Sequence, residues 1–254
     1  MTAINGAVVV QEEPALGTSH PALLAAAILD VDGVLLASPH EQAWREALAG
    51  LTDPARFTTA MYQAVVAGKP RLDGAVAALT ALGVPDAAKL APSYAVSKQM
   101  RLEALIRAGH VNAFPDALRF VQALHARGWP MAVASSSKNA NQMMRSIRMG
   151  AGGSLLDMFT ANVCGRDLAH GKPDPEIFLL AATALGVAPS RCFVAEDAPA
   201  GIQAARAGGM EALGVARLGD AAGLRMAGAD LVVTSLDDVA LEAPGQATLR
   251  RRAA

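Results

Sequence analysis

Ile28-Leu29-Asp30-Val31-Asp32-Gly33-Val34-Leu35 is the stretch whose reading decides the fold. Residues 23–29 are almost wholly apolar, the pattern of a short strand buried on both faces of a parallel sheet. Ligands of such sheets bind beyond the carboxyl ends of the strands, which is where Asp30 and Asp32 fall. Gly33 lets the backbone turn sharply behind them. Two solvated acids at a strand end would look the same in this octapeptide, so its meaning depends on the rest of the chain.

Working outward, helical and strand patterns alternate from Phe114 onward. Ala117, Val121 and Leu124 recur at helical spacing and Gly128 closes that helix. Strands are expected at 130–134, 159–163, 191–195, 212–215 and 230–233, with helices at 139–148, 175–185 and 200–207. Such alternation implies an α/β fold, a doubly wound parallel sheet with crossover helices. Residues 38–112 hold no convincing strand and read as helices at 40–49, 57–67, 74–82 and 92–108. Inserted after the first strand, they face Asp30 from above the carboxyl edge, as a lid would. The expected division is a loose extension at 1–21, an α/β core at 22–37 and 113–245, a small helical cap at 38–112 and a tail at 246–254. Val8-Val9-Val10 could add an edge strand, and Arg250-Arg251-Arg252 reads as a solvated end.

Bulk properties exclude several classes. A net charge of −1 over 254 residues gives no sign of nucleic acid or an anionic membrane as partner. The longest apolar stretch, 23–37, is broken by Asp30 and Asp32, so no membrane span fits. Glu12 and Glu13 make the first residues a poor signal peptide. Cys164 and Cys192 are too few for a disulfide framework, and no cluster suggests zinc. A cytoplasmic protein, monomeric, is the expectation.

Three further strand ends carry polar groups. In Ser135-Ser136-Ser137-Lys138-Asn139 a strand runs into hydroxyls and a helix start, which suits a phosphate or an ordinary N-cap. In Gly171-Lys172-Pro173-Asp174-Pro175 two prolines stiffen a loop, holding Lys172 near the sheet edge unless it is simply solvated. In Phe193-Val194-Ala195-Glu196-Asp197 a second acid pair ends an apolar strand, with Gly201 in the helical run that follows. Two acid pairs at one sheet edge repel each other without a cation, and hard oxygen ligands favour Mg²⁺.

With these four segments the chain resembles the haloacid dehalogenase superfamily of aspartate-nucleophile phosphotransferases. The match runs through Asp30-Val31-Asp32-Gly33, Ser135, Lys172-Pro173 and Glu196-Asp197, and spans nearly everything from 26 to 239. The resemblance implies a Rossmann-like core in which Asp30 attacks phosphorus and Asp32 serves as general acid and base. It further implies that Asp30, the main-chain carbonyl of Asp32, and Asp197 hold Mg²⁺, with Glu196 in or beside that shell. Ser135 and Lys172 would then bind the phosphoryl oxygens.

The helical insert looks like the small cap of β-phosphoglucomutases and their phosphatase relatives. Ser135-Ser136-Ser137-Lys138-Asn139 is similar to the mutase motif SASKN, so Ser136, Ser137, Lys138 and Asn139 become candidates on the substrate side. Arg71, in Gly68-Lys69-Pro70-Arg71, and Lys98 are the implied cap ligands of a second phosphate, although basic side chains on cap helices are often just solvated. His40 lies near the position of the mutase hinge histidine, in a segment about two residues shorter than the family's, and a polar first-turn residue is the other reading. Ala198 and Pro199 replace polar residues often found after the acid pair. The expected function is Mg²⁺-dependent phosphoryl transfer on a small phosphorylated sugar, by a mutase acting on β-glucose 1-phosphate. The alternatives are a phosphatase and, more distantly, a sugar-phosphate binding module without catalysis.

Overall fold

The computed structural model describes residues 23–150 and 152–253. The extension expected at 1–21, with its edge strand at 8–10, lies outside these residues. In chain order the elements are β1 (Ala26–Leu29), β2 (Leu36–Ala37), α1 (His40–Glu46), α2 (Thr59–Val65), α3 (Arg71–Ala81), α4 (Ala87–Arg107) and β3 (Asn112–Ala113). There follow α5 (Pro115–Ala126), β4 (Met131–Val133), α6 (Ala140–Ser146), β5 (Arg148–Met149), β6 (Gly153–Ser154) and β7 (Ala161–Asn162). The chain ends with α7 (Glu176–Leu185), β8 (Cys192–Glu196), α8 (Pro199–Ala207), β9 (Glu211–Val215), α9 (Ala221–Met226) and β10 (Leu231–Val233).

Six strands form one parallel sheet in the order β10-β9-β8-β1-β4-β7. Successive side chains of a strand point to opposite faces, so each strand feeds two cores. Ala27, Leu29, Met131, Val133 and Phe193 meet α5 and α6 through Phe120, Leu124, Met143 and Met144. Ala26, Ile28, Ala132 and Val194 meet α7, α8 and α9 through Phe178, Ile202 and Leu224 on the other face. Burial on both faces is why β1 reads Ala-Ala-Ile-Leu without alternation.

Helices α1 to α4 close on a third apolar cluster of their own around Trp44, Leu48, Phe57, Leu79 and Tyr94. The Tyr94 hydroxyl donates to the Trp44 carbonyl at 2.9 Å, and the two rings lie 5.2 Å apart. The chain enters these helices through β2 and leaves them through β3. The two pair antiparallel, Leu36 opposite Ala113 and Ala37 opposite Asn112.

Arg250, Arg251 and Arg252 are exposed, as expected of a solvated end, but the tail that carries them is tied to the core. Ala247 is buried and bridges Leu24, whose N–H donates to its carbonyl at 2.9 Å. Arg251 pairs with Asp238 at 3.0 Å and donates to the Val232 carbonyl at 2.8 Å, while Arg250 pairs with Glu242. The backbone just before β1 needs hydrogen-bond partners, and the returning tail supplies them.

Candidate active site

Register sets the floor of the site. Leu29 lies opposite Val133 on one side and Ala195 on the other, so Asp30 emerges between the chain leading to Ser135 and the end of β8 at Glu196. The Asp30 N–H donates to the Ala195 carbonyl at 3.0 Å, and the Ala134 N–H to Leu29 at 3.0 Å. Backbone pairing thus holds these three strand ends level. A Cβ on Gly33, where φ is +80°, would overlap the Asp197 carboxylate, so the close approach of the two loops requires glycine.

Lys172 projects into this floor with its side chain essentially buried. Its Nζ donates to Asp30 Oδ1 at 2.6 Å and to Glu196 Oε1, and lies 4.8 Å from the Phe178 ring centre. Burial opposes its charge, but Asp30 and Glu196 outweigh that and hold the ammonium above its usual pKa. Glu196 turns away from the open cavity. Its other oxygen accepts the N–H groups of Asp197 and Ala198, at 3.1 and 3.2 Å. Burial pushes the carboxyls of Asp30, Asp32 and Asp197 upward, and for Asp197 the neighbouring Glu196 and Asp30 push further.

Asp30, Glu196 and Asp197 each present an oxygen within 4.8 Å of the others. Crowded buried carboxylates fit a hard divalent cation, whose charge is what this cluster lacks once Lys172 is committed to Asp30 and Glu196. The Asp32 side chain stands outside that group. Its Oδ1 is buried with no hydrogen-bond partner among the described residues, and its Oδ2 lies 3.7 Å from His40 Nε2.

Above the floor a cavity of about 340 Å³ lies beneath the helices α1 to α4. His40, Arg71, Lys98, Ser135, Ser136, Ser137, Lys138 and Asn139 all line it. His40 opens α1 and connects the two halves of the molecule. Its Nδ1 is 2.9 Å from Lys98 Nζ and its Nε2 is 3.3 Å from Ser137 Oγ. Burial, then Lys98, keeps its imidazole neutral well below the usual range. Burial lowers Lys98 to about 7, partly opposed by Asp32 and reinforced by Arg71, and its Nζ sits 5.0 Å from the Trp44 ring centre. Lys138 is exposed and pairs with Asp167 at 2.7 Å, and Asn139 is 3.2 Å from the Gln99 amide. The serines serve the backbone as well: Ser135 Oγ accepts from the Ser137 N–H and Ser137 Oγ from the Asn139 N–H.

Trp44, Tyr62, Gln99, Arg166 and Asp167 also line the cavity and were not singled out in the sequence. Arg166 and Asp167 follow β7, so the strand-end rule applied to Asp30 would have found them. Nothing in the local sequence marks Tyr62, whose hydroxyl is held neutral by burial and by Asp32 and Asp197.

A family model described as haloacid dehalogenase-like hydrolase matches residues 24–209, and the chain belongs to that family of enzymes. Its place within the family is the β-phosphoglucomutase-like subfamily. A β-phosphoglucomutase of Mycobacterium bovis is 34% identical over 249 residues, covering 86% of this chain and 92% of the relative. A fructose-1-phosphate phosphatase of Escherichia coli is also 34% identical, over 74% of this chain and 94% of its own length. The crystal structure of the β-phosphoglucomutase of Pyrococcus sp. strain ST 04 superposes with a TM-score of 0.68 at 31% identity, over 85% of this chain and 95% of that one. No helix among the described residues is long and apolar enough to cross a membrane.

Proposed function

We propose that this enzyme is a β-phosphoglucomutase, converting β-glucose 1-phosphate to glucose 6-phosphate through a phosphorylated Asp30. The observation that carries this reading is the set of groups that one cavity brings together. Asp30, Ser135 and Lys172 line the floor, while Arg71, Lys138 and Asn139 line the same space from the cap and the 135–139 loop. A substrate that reverses end for end between two half-reactions needs a reacting site and a second phosphate handle of this kind. The Mycobacterium bovis relative supports the same choice.

In this reading Asp30 attacks phosphorus in line, forming the acyl-phosphate bond as the bond to the sugar oxygen breaks. Asp32 protonates that leaving oxygen and later takes the proton from the incoming hydroxyl. Its raised pKa and the unpartnered Oδ1 suit a carboxyl that must hold a proton for part of the cycle. Lys172 neutralises Asp30 and, with Ser135, holds phosphoryl oxygens. Mg²⁺ would be held by Asp30, Asp197 and the Asp32 carbonyl, with Glu196 beside it, and supplies positive charge to the transferring group. Arg71 would bind the distal phosphate through its planar fork. Closure of the helices over the cavity would keep water from the acyl phosphate.

The second reading is a sugar-phosphate phosphatase, favoured by the Escherichia coli relative at the same identity. The deciding experiment follows β-glucose 1-phosphate with Mg²⁺ and a trace of the 1,6-bisphosphate, reading glucose 6-phosphate and free phosphate together, with Asp30→Asn as the blank. Glucose 6-phosphate without matching phosphate release establishes the mutase. Phosphate release without isomerisation makes the enzyme a phosphatase, and glucose 6-phosphate that is lost on Arg71→Met ties the distal handle to Arg71.

A further inference from the structure

Arg217 lies in the loop after β9, outside the cavity lining, with 12% of its side chain exposed. All its guanidinium nitrogens are engaged. Nε donates to the Gly33 carbonyl at 3.0 Å and Nη2 to the Val34 carbonyl at 2.9 Å. Nη1 donates to both oxygens of Asp116, at 3.1 and 3.0 Å, and the guanidinium carbon stacks 3.8 Å from the centre of the Phe114 ring. Two consecutive carbonyls of the loop that follows Asp32 therefore point at one rigid planar group.

These contacts fall at a mechanical junction. Gly33 is the residue where a Cβ would overlap the Asp197 carboxylate, so its backbone lies close to Asp197 and is held by Arg217 through its carbonyl. Leu36, two residues past Val34, starts β2, and its carbonyl accepts the Gly33 N–H at 2.9 Å. Phe114 directly follows β3, and its N–H donates to Leu35 at 3.0 Å. One side chain thus touches the core-side ends of both passages into the helical cap. Asp116 fixes the guanidinium in turn, and is itself held by the Leu236 N–H at 2.8 Å and the Ser235 hydroxyl at 3.1 Å.

We propose that Arg217 is a positioning residue for phosphoryl transfer: by clamping the Gly33 and Val34 carbonyls it sets the 30–34 loop against Asp197 and anchors the root of the cap. This rests on the phosphoryl-transfer reading above but not on which sugar is the substrate. A lysine at 217 keeps the charge and can pair with Asp116, but a point ammonium on a flexible stem cannot hold two carbonyls and a carboxylate in one plane. The loop then shifts by a fraction of an ångström, which is enough to degrade the alignment of Asp30 and Asp32.

The test uses acetyl phosphate with Mg²⁺, a small phosphoryl donor that needs no sugar recognition. Arg217→Lys and Arg217→Met are compared with Asp116→Asn, which loosens the same network without removing the donors to Gly33 and Val34. The expected result for both Arg217 variants is a kcat lower by about 10- to 100-fold with KM within about threefold, because the phosphate contacts at Ser135 and Lys172 are untouched. Asp116→Asn is expected to lower the melting temperature while keeping kcat within about threefold. Arg217 variants that retain kcat within about twofold overturn the proposal. So does a kcat that falls in step with melting temperature across all three variants, or failure of both Arg217 variants to fold where Asp116→Asn folds; either makes Arg217 a stability residue only. A wild-type protein with no Mg²⁺-dependent turnover of acetyl phosphate or of any phosphate ester removes the phosphoryl-transfer reading and this one with it, whereas turnover that Arg217→Lys leaves intact removes this one alone.

Discussion

Lys98 shows how much one buried amine can do. It projects from α4 beneath Trp44 and meets His40, and burial lowers its pKa from 10.5 to about 7. Between about pH 7 and pH 10 the folded protein then carries a neutral amine where the unfolded chain carries an ammonium. The unfolded state binds the extra proton, so raising the pH through this window stabilises the fold, by up to about 1.4 kcal/mol per unit. Lys98→Met abolishes that contribution. From about pH 7 to pH 9 the stability difference should move in favour of the wild type by about 1–2 kcal/mol, read from urea titrations at matched ionic strength. Parallel pH dependences in the two proteins would mean that Asp32 keeps Lys98 charged in the folded state. A phosphate group entering the cavity would pull the proton back onto Lys98, so the residue is tuned by what occupies the site.

Among the elements, α8 carries an instructive glycine. Alanine in place of glycine inside a helix normally stabilises by about 1 kcal/mol. At Gly201 the added Cβ would run into the Glu196 carboxylate, which is already fixed by Lys172 and by the N–H groups of Asp197 and Ala198. Gly201→Ala should therefore destabilise by about 1–3 kcal/mol, seen as a lower urea midpoint at unchanged m-value. Gly223→Ala in α9, where the nearest atom to a Cβ is Pro199 Cγ at 3.9 Å, should be neutral or stabilising. A stable Gly201→Ala protein would show that Glu196 moves freely and is not part of a fixed floor.

The same elements explain what the sequence displayed and what it concealed. Doubly buried strands such as β1 and β8 announce themselves as unbroken apolar runs, and the acids at their ends are conspicuous for that reason. Two-residue strands such as β2 and β3 have no periodicity to detect, although they root the cap. Helix α4 was expected to open at Pro92, but it begins at Ala87 and runs through the proline. The N–H that Pro92 lacks would have gone to the carbonyl of Ala88, which is exposed and can be met by water. Arg217 was invisible for another reason: its role comes from contacts with Gly33 and Asp116, far off in sequence.

At the scale of the whole molecule, a cation held by the acid cluster would link its binding to folding. Asp30, Glu196 and Asp197 come from two strand ends of the sheet and converge only when it is assembled, so the unfolded chain offers no equivalent site. Burial, with their mutual repulsion, raises all three carboxyls, so a bound cation must displace protons that the apo site retains at low pH. Mg²⁺ should therefore raise the melting temperature, and by more near pH 8 than near pH 5.5, where protons compete for the same oxygens. At a concentration about 100 times its dissociation constant the stabilisation is about 2.7 kcal/mol. In a chain of this size that corresponds to a rise of about 5–10 °C, measurable by calorimetry without any substrate. Asp197→Asn should remove the rise together with its pH dependence. A wild-type melting temperature indifferent to Mg²⁺ at both pH values would mean that Lys172 alone balances the cluster, and the cation assignment would have to be abandoned.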